Sequence, residues 1–394
     1  MNIQSGRHVF GFDTRAAVPA AAASTAGLES SQPRWNGVTN RQRNPANGFR
    51  DLPDPTGAYP FHLKLESILE PDEIQEIQDA GRLIFHAIGD TGNKSYGAAA
   101  QEAVAEHIAA QAAPALGKDR ARFVYHLGDV VYFKGERDGY EPQFFEPYKN
   151  YPGPIFAIPG NHDGSVPSTD TPLQGFMEHF CSVQPSHSPF AGESPRTNMC
   201  QPNCYWSLLT PFARIIGLYS NVNGQLDRNN TRQFDWLVDE LKHSVSDRCV
   251  IVAVHHPPYS RDTSHGGYKA IDDSLDAAFH KSGRIPHLVL TGHVHNYQRF
   301  ERTLATAFAV NRTLTYAIAG GSGFAGFDGL HTVEPGIALP SDVTAKAFVD
   351  TLPGFLQLEV SATEIHGRYY TVPRPPHHMD GPVELKDEFH IPLA

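Results

Sequence analysis

Gly292-His293-Val294-His295 follows a mostly apolar run at 285–290, and the other candidate ligands of the chain can be placed relative to it. Two imidazoles with one residue between them, where a strand ends in a loop, can direct their nitrogens at two neighbouring metal ions. One His-x-His pair is weak evidence, because 21 histidines among 394 residues give close pairs by chance. The ends of the other apolar runs therefore decide its interpretation.

Four other apolar runs end in the same way, each with a residue that can bind a metal ion. These ends are Gly89-Asp90, Gly128-Asp129-Val130-Val131-Tyr132, Gly160-Asn161-His162-Asp163 and His255-His256. Functional residues at the carboxyl ends of strands that alternate with helices are typical of layered α/β enzymes. We therefore expect five strands to deliver ligands to one edge.

The remaining pattern predicts the fold class. Helical spacing or helix-start signals occur at 71–80, 97–113, 231–241 and 274–281. After His295, the segments 314–319, 355–360 and 365–370 read as strands without helices between them, and we expect them to complete a second sheet. We predict an α/β fold, a four-layer αββα sandwich of two mixed β-sheets, with the dimetal site at the carboxyl ends of the strands.

The chain divides into three predicted parts. Residues 1–80 form a partly irregular N-terminal extension, residues 81–375 the catalytic domain, and residues 376–394 a C-terminal tail. Within the domain, the connections 133–150 and 164–205 are long and rich in Pro and aromatic residues. Loops of this length usually act as lids or specificity elements.

Composition excludes several classes of partner. The chain has 32 basic and 43 acidic residues, a formal charge of −11, which argues against binding nucleic acid through a basic face. No run approaches the ~18 apolar residues of a membrane span. A small anionic substrate, captured by metals, fits this charge; the resemblance given below implies that it is a small phosphorylated substrate. The sequence does not determine the oligomeric state.

Location and redox state are less constrained. The N-terminus lacks a secretory signal, so we expect a cytoplasmic protein, or a periplasmic or secreted one if a leader was removed. Cys181, Cys200 and Cys204 lie close together in the sequence, and Cys249 lies apart. The first three could form a zinc knuckle, hold one disulfide or remain free thiols.

A two-metal site would divide the candidate ligands between two ions. Two ions ~3.5–4 Å apart can clamp a phosphate and stabilise both the attacking and the leaving oxygen. Asp129 is the natural bridging carboxylate. With it, the ligands of a divalent ion would be Asn161, His255 and His293. The ligands of the other ion would be Asp90, Asp129, Tyr132 and His295, whose anionic oxygens favour Fe(III).

The five blocks, in this order, resemble the calcineurin-like metallophosphoesterases. Most members of that superfamily have a His two residues after the first Asp, where this chain has Gly92. Tyr132, three residues after the bridging Asp, resembles the replacement ligand of the purple acid phosphatases. That branch implies Fe(III) in the first site, Fe(II), Zn or Mn in the second, and hydrolysis of phosphate monoesters by a metal-bound hydroxide.

The resemblance also implies catalytic roles. His162 would contact the phosphate and could protonate the leaving group, with Asp163 holding its ring. His265, ten residues after His255, would be a second candidate acid. The chain departs from plant-type purple acid phosphatases, since its first 80 residues are too short and too weakly patterned for their separate β-sandwich domain.

Three functions remain open at this point. An acid phosphatase of broad monoester range is the first. A phosphodiesterase acting on cyclic nucleotides or phospholipid head groups would use the same ligands. The third is a metal-binding interaction protein with weak catalysis, against which the complete set from Asp90 to His295 counts.

Overall fold

The computed structural model describes residues 48–92, 98–165, 171–228, 231–244, 249–309, 311–324, 330–373 and 382–393. Their strands, in chain order, are β1 His62–Lys64, β2 Arg82–Ile88, β3 Val124–His126, β4 Ile155–Ala157, β5 Trp206–Leu209, β6 Ala213–Leu218, β7 Cys249–Val254, β8 Leu288–Thr291, β9 Tyr297–Thr303, β10 Thr313–Ala319, β11 Val343–Val349, β12 Gly354–Ser361, β13 Glu364–Thr371 and β14 Glu384–Pro392. Their α-helices are α1 Pro71–Ala80, α2 Ala98–Gln111, α3 Asn161–Gly164, α4 Gln174–Phe180, α5 Arg232–Lys242, α6 Lys269–Ser282 and α7 Ala305–Phe308.

The strands form two mixed sheets. The eight-stranded sheet has the order β1-β5-β6-β7-β8-β10-β9-β11, and the six-stranded sheet has the order β14-β13-β12-β2-β3-β4. The two sheets face each other, since Tyr125 and Phe156 of the six-stranded sheet pack against Trp206 of the other. Helices α1 and α2 contact the six-stranded sheet, while α5 contacts the eight-stranded sheet and α6. The predicted αββα sandwich of two mixed sheets is confirmed.

The sequence explains why the central elements form. Strand β7 reads Cys-Val-Ile-Val-Ala-Val and is buried along its whole length, as expected for a strand flanked by parallel neighbours. Helix α1 begins with Pro71, has Asp72 and Glu73 in its first turn, and ends at Ala80, followed by the capping residue Gly81 with φ 67°. Its predicted bounds are confirmed.

Two expectations about strand placement are wrong. The ligand-bearing strands do not share one sheet edge, because β2, β3 and β4 belong to the six-stranded sheet and β7 and β8 to the other. The candidate ligands therefore come from the carboxyl ends of strands in both sheets. Strand β10 does not join the second sheet but pairs with β8 and β9. Only β12 and β13 of the three expected strands join the six-stranded sheet, because the partner of a strand depends on distant pairing that its own sequence does not show.

The terminal segments contribute to this core. Phe61 and Leu65, which belong to the predicted extension, are buried in the core, and residues 1–47 lie outside the described residues. In the predicted tail, β14 pairs with β13 and buries Phe389 and Ile391. The domain boundaries themselves remain predictions.

Two further features bear on the alternatives above. The four cysteines are free thiols, with Cys181 opposite Cys200 in an isolated antiparallel bridge. None of the helices within the described part of the chain is long and apolar enough to cross a membrane.

Candidate metal centre

The backbone is unusual at three of the predicted ligands. Asp90, Asp129 and His293 adopt φ values of 56°, 54° and 68°, a region that side-chain-bearing residues rarely occupy. All three are buried. Such conformations cost of order 1–3 kcal/mol each and concentrate at functional sites.

Close packing of the strand ends explains the glycines of the motifs. Gly128 has φ 100°, and a β-carbon there would lie 2.6 Å from His255 Nδ1. A β-carbon at Gly160 would lie 2.1 Å from Asp129 Oδ1. Only glycine lets these backbones approach the candidate ligands so closely.

One group of donors surrounds the Asn161 side chain. Its Oδ1 lies 3.0 Å from His255 Nε2 and 2.8 Å from His293 Nδ1. His255 Nε2 in turn lies 3.2 Å from Asp129 Oδ2. The ligand atoms of Asp129, His255 and His293 are close enough together to hold one metal ion. Together with Asn161, they are the four residues predicted for the divalent site.

A second group surrounds the Tyr132 hydroxyl. This oxygen lies 3.2 Å from Asp90 Oδ1, 3.2 Å from Asp129 Oδ2 and 3.3 Å from His295 Nε2. His295 Nε2 lies 3.6 Å from Asp90 Oδ1. A phenol has one proton to share among these neighbours. The structure thus brings together the four residues predicted for the Fe(III) site, and Asp129 contacts both groups.

These separations fit the donor spacing that metal ions require. Ligand atoms bound ~2.1 Å from an ion, at right angles to each other, lie about 3.0 Å apart. The separations of 2.8–3.3 Å between neighbouring donors match that value. The donor set is also chemically suitable, with carboxylate, phenol, amide and imidazole groups. Metal ligation by these residues remains a prediction.

The imidazoles are oriented by partners behind them. His255 Nδ1 lies 2.8 Å from the Leu127 carbonyl oxygen, so Nδ1 carries a proton and Nε2 faces Asn161. His293 Nε2 lies 2.7 Å from the Tyr268 hydroxyl, while its Nδ1 faces Asn161. Such outer contacts fix the tautomer and ring orientation of metal-binding histidines.

Burial disfavours the ionised forms of the two carboxylates, Asp90 and Asp129. Burial raises the pKa of Asp90, and Asp129 raises it further while His255 opposes the shift. Burial also acts to raise the pKa of Asp129, but His255 and His162 outweigh it and hold that pKa below its usual range. Two buried carboxylates beside one phenol oxygen resist ionising together. A cation between them would remove that conflict.

His162 lies beside the second group, but its surroundings differ from expectation. Its backbone N–H donates to Asp129 Oδ1 at 2.8 Å, and its ring centroid is 4.4 Å from that of Tyr132. The ring is held by the Phe133 carbonyl oxygen, 2.8 Å from Nδ1. The expectation that Asp163 holds this ring is wrong. Asp163 instead accepts backbone N–H groups of Gly160, Val130 and Val131 at 2.8, 3.1 and 3.2 Å, and so fixes the two motif loops to each other.

His265 lies next to the ligands, and its neighbour His331 was missed. The His265 ring centroid is 4.5 Å from that of His293. Its Nδ1 lies 3.0 Å from His331 Nδ1, which also accepts the His295 backbone N–H at 3.2 Å. His331 belongs to none of the motifs and has no characteristic spacing to them. Only the structure could place it.

Three further residues near the two donor groups make supporting contacts. His256 Nδ1 lies 2.6 Å from Ser220 Oγ, and its ring centroid is 4.3 Å from that of His293. Tyr297 and Arg299 both donate to Asp387, at 2.6 Å, and so tie β9 to β14.

Known proteins match this chain in part of its sequence and in its fold. A family model described as calcineurin-like phosphoesterase matches residues 84–297. The fold is similar to that of the purple acid phosphatase PPD1 from yellow lupin (Lupinus luteus) seeds, with a TM-score of 0.55 and 16% identity over 79% of this chain and 54% of that chain. It is also similar to GAP50, the anchor in the inner membrane complex of Plasmodium, with a TM-score of 0.53 and 15% identity over 79% of this chain and 89% of that chain. The chain thus spans about half the length of the lupin protein, and at these identities the likeness concerns the fold.

Proposed function

The chain belongs to the calcineurin-like phosphoesterase family, and we propose that it is a dinuclear-metal acid phosphatase that hydrolyses phosphate monoesters in the manner of purple acid phosphatases. The observation that carries this proposal is the Tyr132 hydroxyl, 3.2–3.3 Å from Asp90, Asp129 and His295. A phenol oxygen at the centre of a ligand group is the feature that separates this branch from the rest of the family.

Each group of donors would hold one ion. Fe(III) would be held by Asp90, Asp129, Tyr132 and His295, because hard anionic oxygens favour a trivalent ion. Fe(II), Zn or Mn would be held by Asp129, Asn161, His255 and His293. When bound, the two ions supply Lewis acidity toward the phosphate oxygens and lower the pKa of a water molecule.

The protein's own side chains bind and orient the substrate. His162 is fixed by the Phe133 carbonyl beside Tyr132, so its imidazole is held against the proposed Fe(III) site. His265 is fixed by His331 and by Asp262, which accepts the His265 backbone N–H at 2.6 Å. We propose His162 as the group that contacts the phosphate and His265 as a proton donor to the leaving oxygen.

Comparing two ester classes tests the proposal. The metal-loaded protein is assayed with nitrophenyl phosphate and bis(nitrophenyl) phosphate, with Asn161→Ala as the control that disrupts the divalent site. We expect faster turnover of the monoester. Faster turnover of the bis ester would favour the phosphodiesterase alternative.

Turnover of neither ester by fully metal-loaded protein would favour the interaction protein. That alternative is retained because the fold is shared with a protein described as an anchor.

A further inference from the structure

The atoms around Gly92 leave no space for a side chain at this position. A β-carbon there would lie 2.4 Å from the Val130 carbonyl oxygen and 2.5 Å from Gln143 Oε1. Real β-carbons do not approach other heavy atoms this closely. The loop after Asp90 therefore has no room for a second ligand at this position, and the missing donor has to come from another element.

Gln143 also holds the residue that supplies the replacement. Its Oε1 accepts the Tyr132 backbone N–H at 2.9 Å, and its Nε2 donates to the Tyr132 carbonyl oxygen at 2.9 Å. Gln143 is fully buried in the π-helical turn Glu141–Phe145, and its own carbonyl oxygen accepts Gln101 Nε2 at 2.6 Å. π-Helical turns of this kind are frequent at functional sites.

We infer that Gln143 is a positioning residue that makes Tyr132 the metal ligand. Its carboxamide fixes the Tyr132 backbone at both the N–H and the carbonyl oxygen, and it fills the space next to Gly92. The inference rests on the proposed function, in which Tyr132 binds Fe(III). It gives the 133–150 connection a role in selecting the ligand set, where the sequence indicated only a lid or specificity element.

The physical reason is the burial of the paired groups. Without the carboxamide, the Tyr132 N–H and C=O would both be buried without these partners, and the backbone would shift to recover them. The Tyr132 hydroxyl fits among three neighbours at 3.2–3.3 Å, so a small backbone shift would remove it from that position. Loss of an outer partner of this kind typically weakens metal binding by about 10–100-fold.

The chain contains a matched control. Gln233, also fully buried, makes the same pair of bonds with Tyr219, accepting its N–H at 2.8 Å and donating to its carbonyl oxygen at 2.9 Å. Tyr219 is outside both donor groups. Gln233→Met therefore removes the equivalent pair of bonds, together with one to the Leu226 carbonyl oxygen, without touching a proposed ligand.

The experiment compares Gln143→Met with Gln233→Met after loading with Fe(III). The readouts are the visible tyrosinate-to-Fe(III) absorption band, the iron content and the thermal midpoint. We expect both variants to lose thermal stability. Only Gln143→Met should lose the band and bind iron at least about tenfold more weakly. An unchanged band and iron affinity in Gln143→Met would overturn the inference.

A second variant covers failure of Gln143→Met to fold. Gln143→Glu keeps an acceptor for the Tyr132 N–H and loses the donor to its carbonyl oxygen, so we expect a weakened or shifted band, and an unchanged band overturns the inference. Absence of the band from the wild-type protein would instead contradict the proposed metal centre, and the inference with it.

Discussion

Replacing Asn161 with alanine tests the division of the ligands between two ions. Asn161 Oδ1 lies between His255 Nε2 and His293 Nδ1, at 3.0 and 2.8 Å. The Tyr132 hydroxyl lies among Asp90, Asp129 and His295 instead. We therefore expect the variant to bind the divalent ion more weakly while the Fe(III) site keeps its ligands.

The expected loss can be stated as a free energy. Removing an outer partner of a metal ligand costs about 10–100-fold in affinity, so removing a ligand should cost at least about 100-fold. A divalent ion supplied at about 1,000 times its Kd stabilises the folded state by ~4.1 kcal/mol, and at about 10 times its Kd by ~1.4 kcal/mol. The metal-dependent part of the free energy of unfolding should therefore fall by roughly 2.7 kcal/mol.

Denaturant unfolding with and without added zinc measures this difference, together with metal content and nitrophenyl phosphate turnover. Asn198→Ala is the control, because Asn198 is also buried but hydrogen-bonds to Ser182 and Ser186 in the 164–205 connection. Turnover and a zinc-dependent gain in unfolding free energy equal to those of the wild type in Asn161→Ala would refute the ligand assignment.

Three further substitutions give distinct outcomes. Gly160→Ala places a β-carbon 2.1 Å from Asp129 Oδ1, so we expect loss of both ions by metal analysis with retained secondary structure by circular dichroism. Tyr268→Phe removes the hydroxyl 2.7 Å from His293 Nε2, and zinc titration should show about 10–100-fold weaker binding. His287→Asn tests acid stability. Burial, together with Arg312 and Arg284, lowers the pKa of His287 to about 4 from 6.5. The contribution of neutral His287 to the free energy of unfolding is therefore complete above pH 6.5 and is lost as the pH falls toward 4. Asparagine can still accept the Val250 N–H, so between pH 6.5 and 4 urea unfolding should show the wild type losing about 3 kcal/mol more than the variant.

Local patterns predicted the parts of the fold and site that depend on short stretches of chain. Helix α1 was predicted with its observed bounds because Pro71 and the first-turn acids mark its start. The two donor groups formed as expected, because each candidate ligand lies within six residues of the carboxyl end of a buried strand. Asp129 was predicted to contact both groups because a two-metal site needs a bridging carboxylate.

Features that depend on distant contacts were not predictable. The sequence around β10 does not reveal that its partners are β8 and β9 rather than β12. Asp163 adjoins His162 in sequence, yet its carboxylate accepts the backbone N–H groups of Gly160 and Val130. Gln143 and His331 come from connections without a recognisable motif, so only the folded chain shows that they adjoin the site.

The visible spectrum of aerobically purified, iron-supplied protein tests the central claim most directly, with Tyr132→Phe as its control. A phenolate bound to Fe(III) gives a broad absorption band, and we expect this band in the wild type and its absence in Tyr132→Phe, which keeps the ring but lacks the oxygen. A colourless wild-type protein containing stoichiometric zinc or manganese would contradict the assignment of Tyr132 as a ligand. That result would favour the phosphodiesterase alternative.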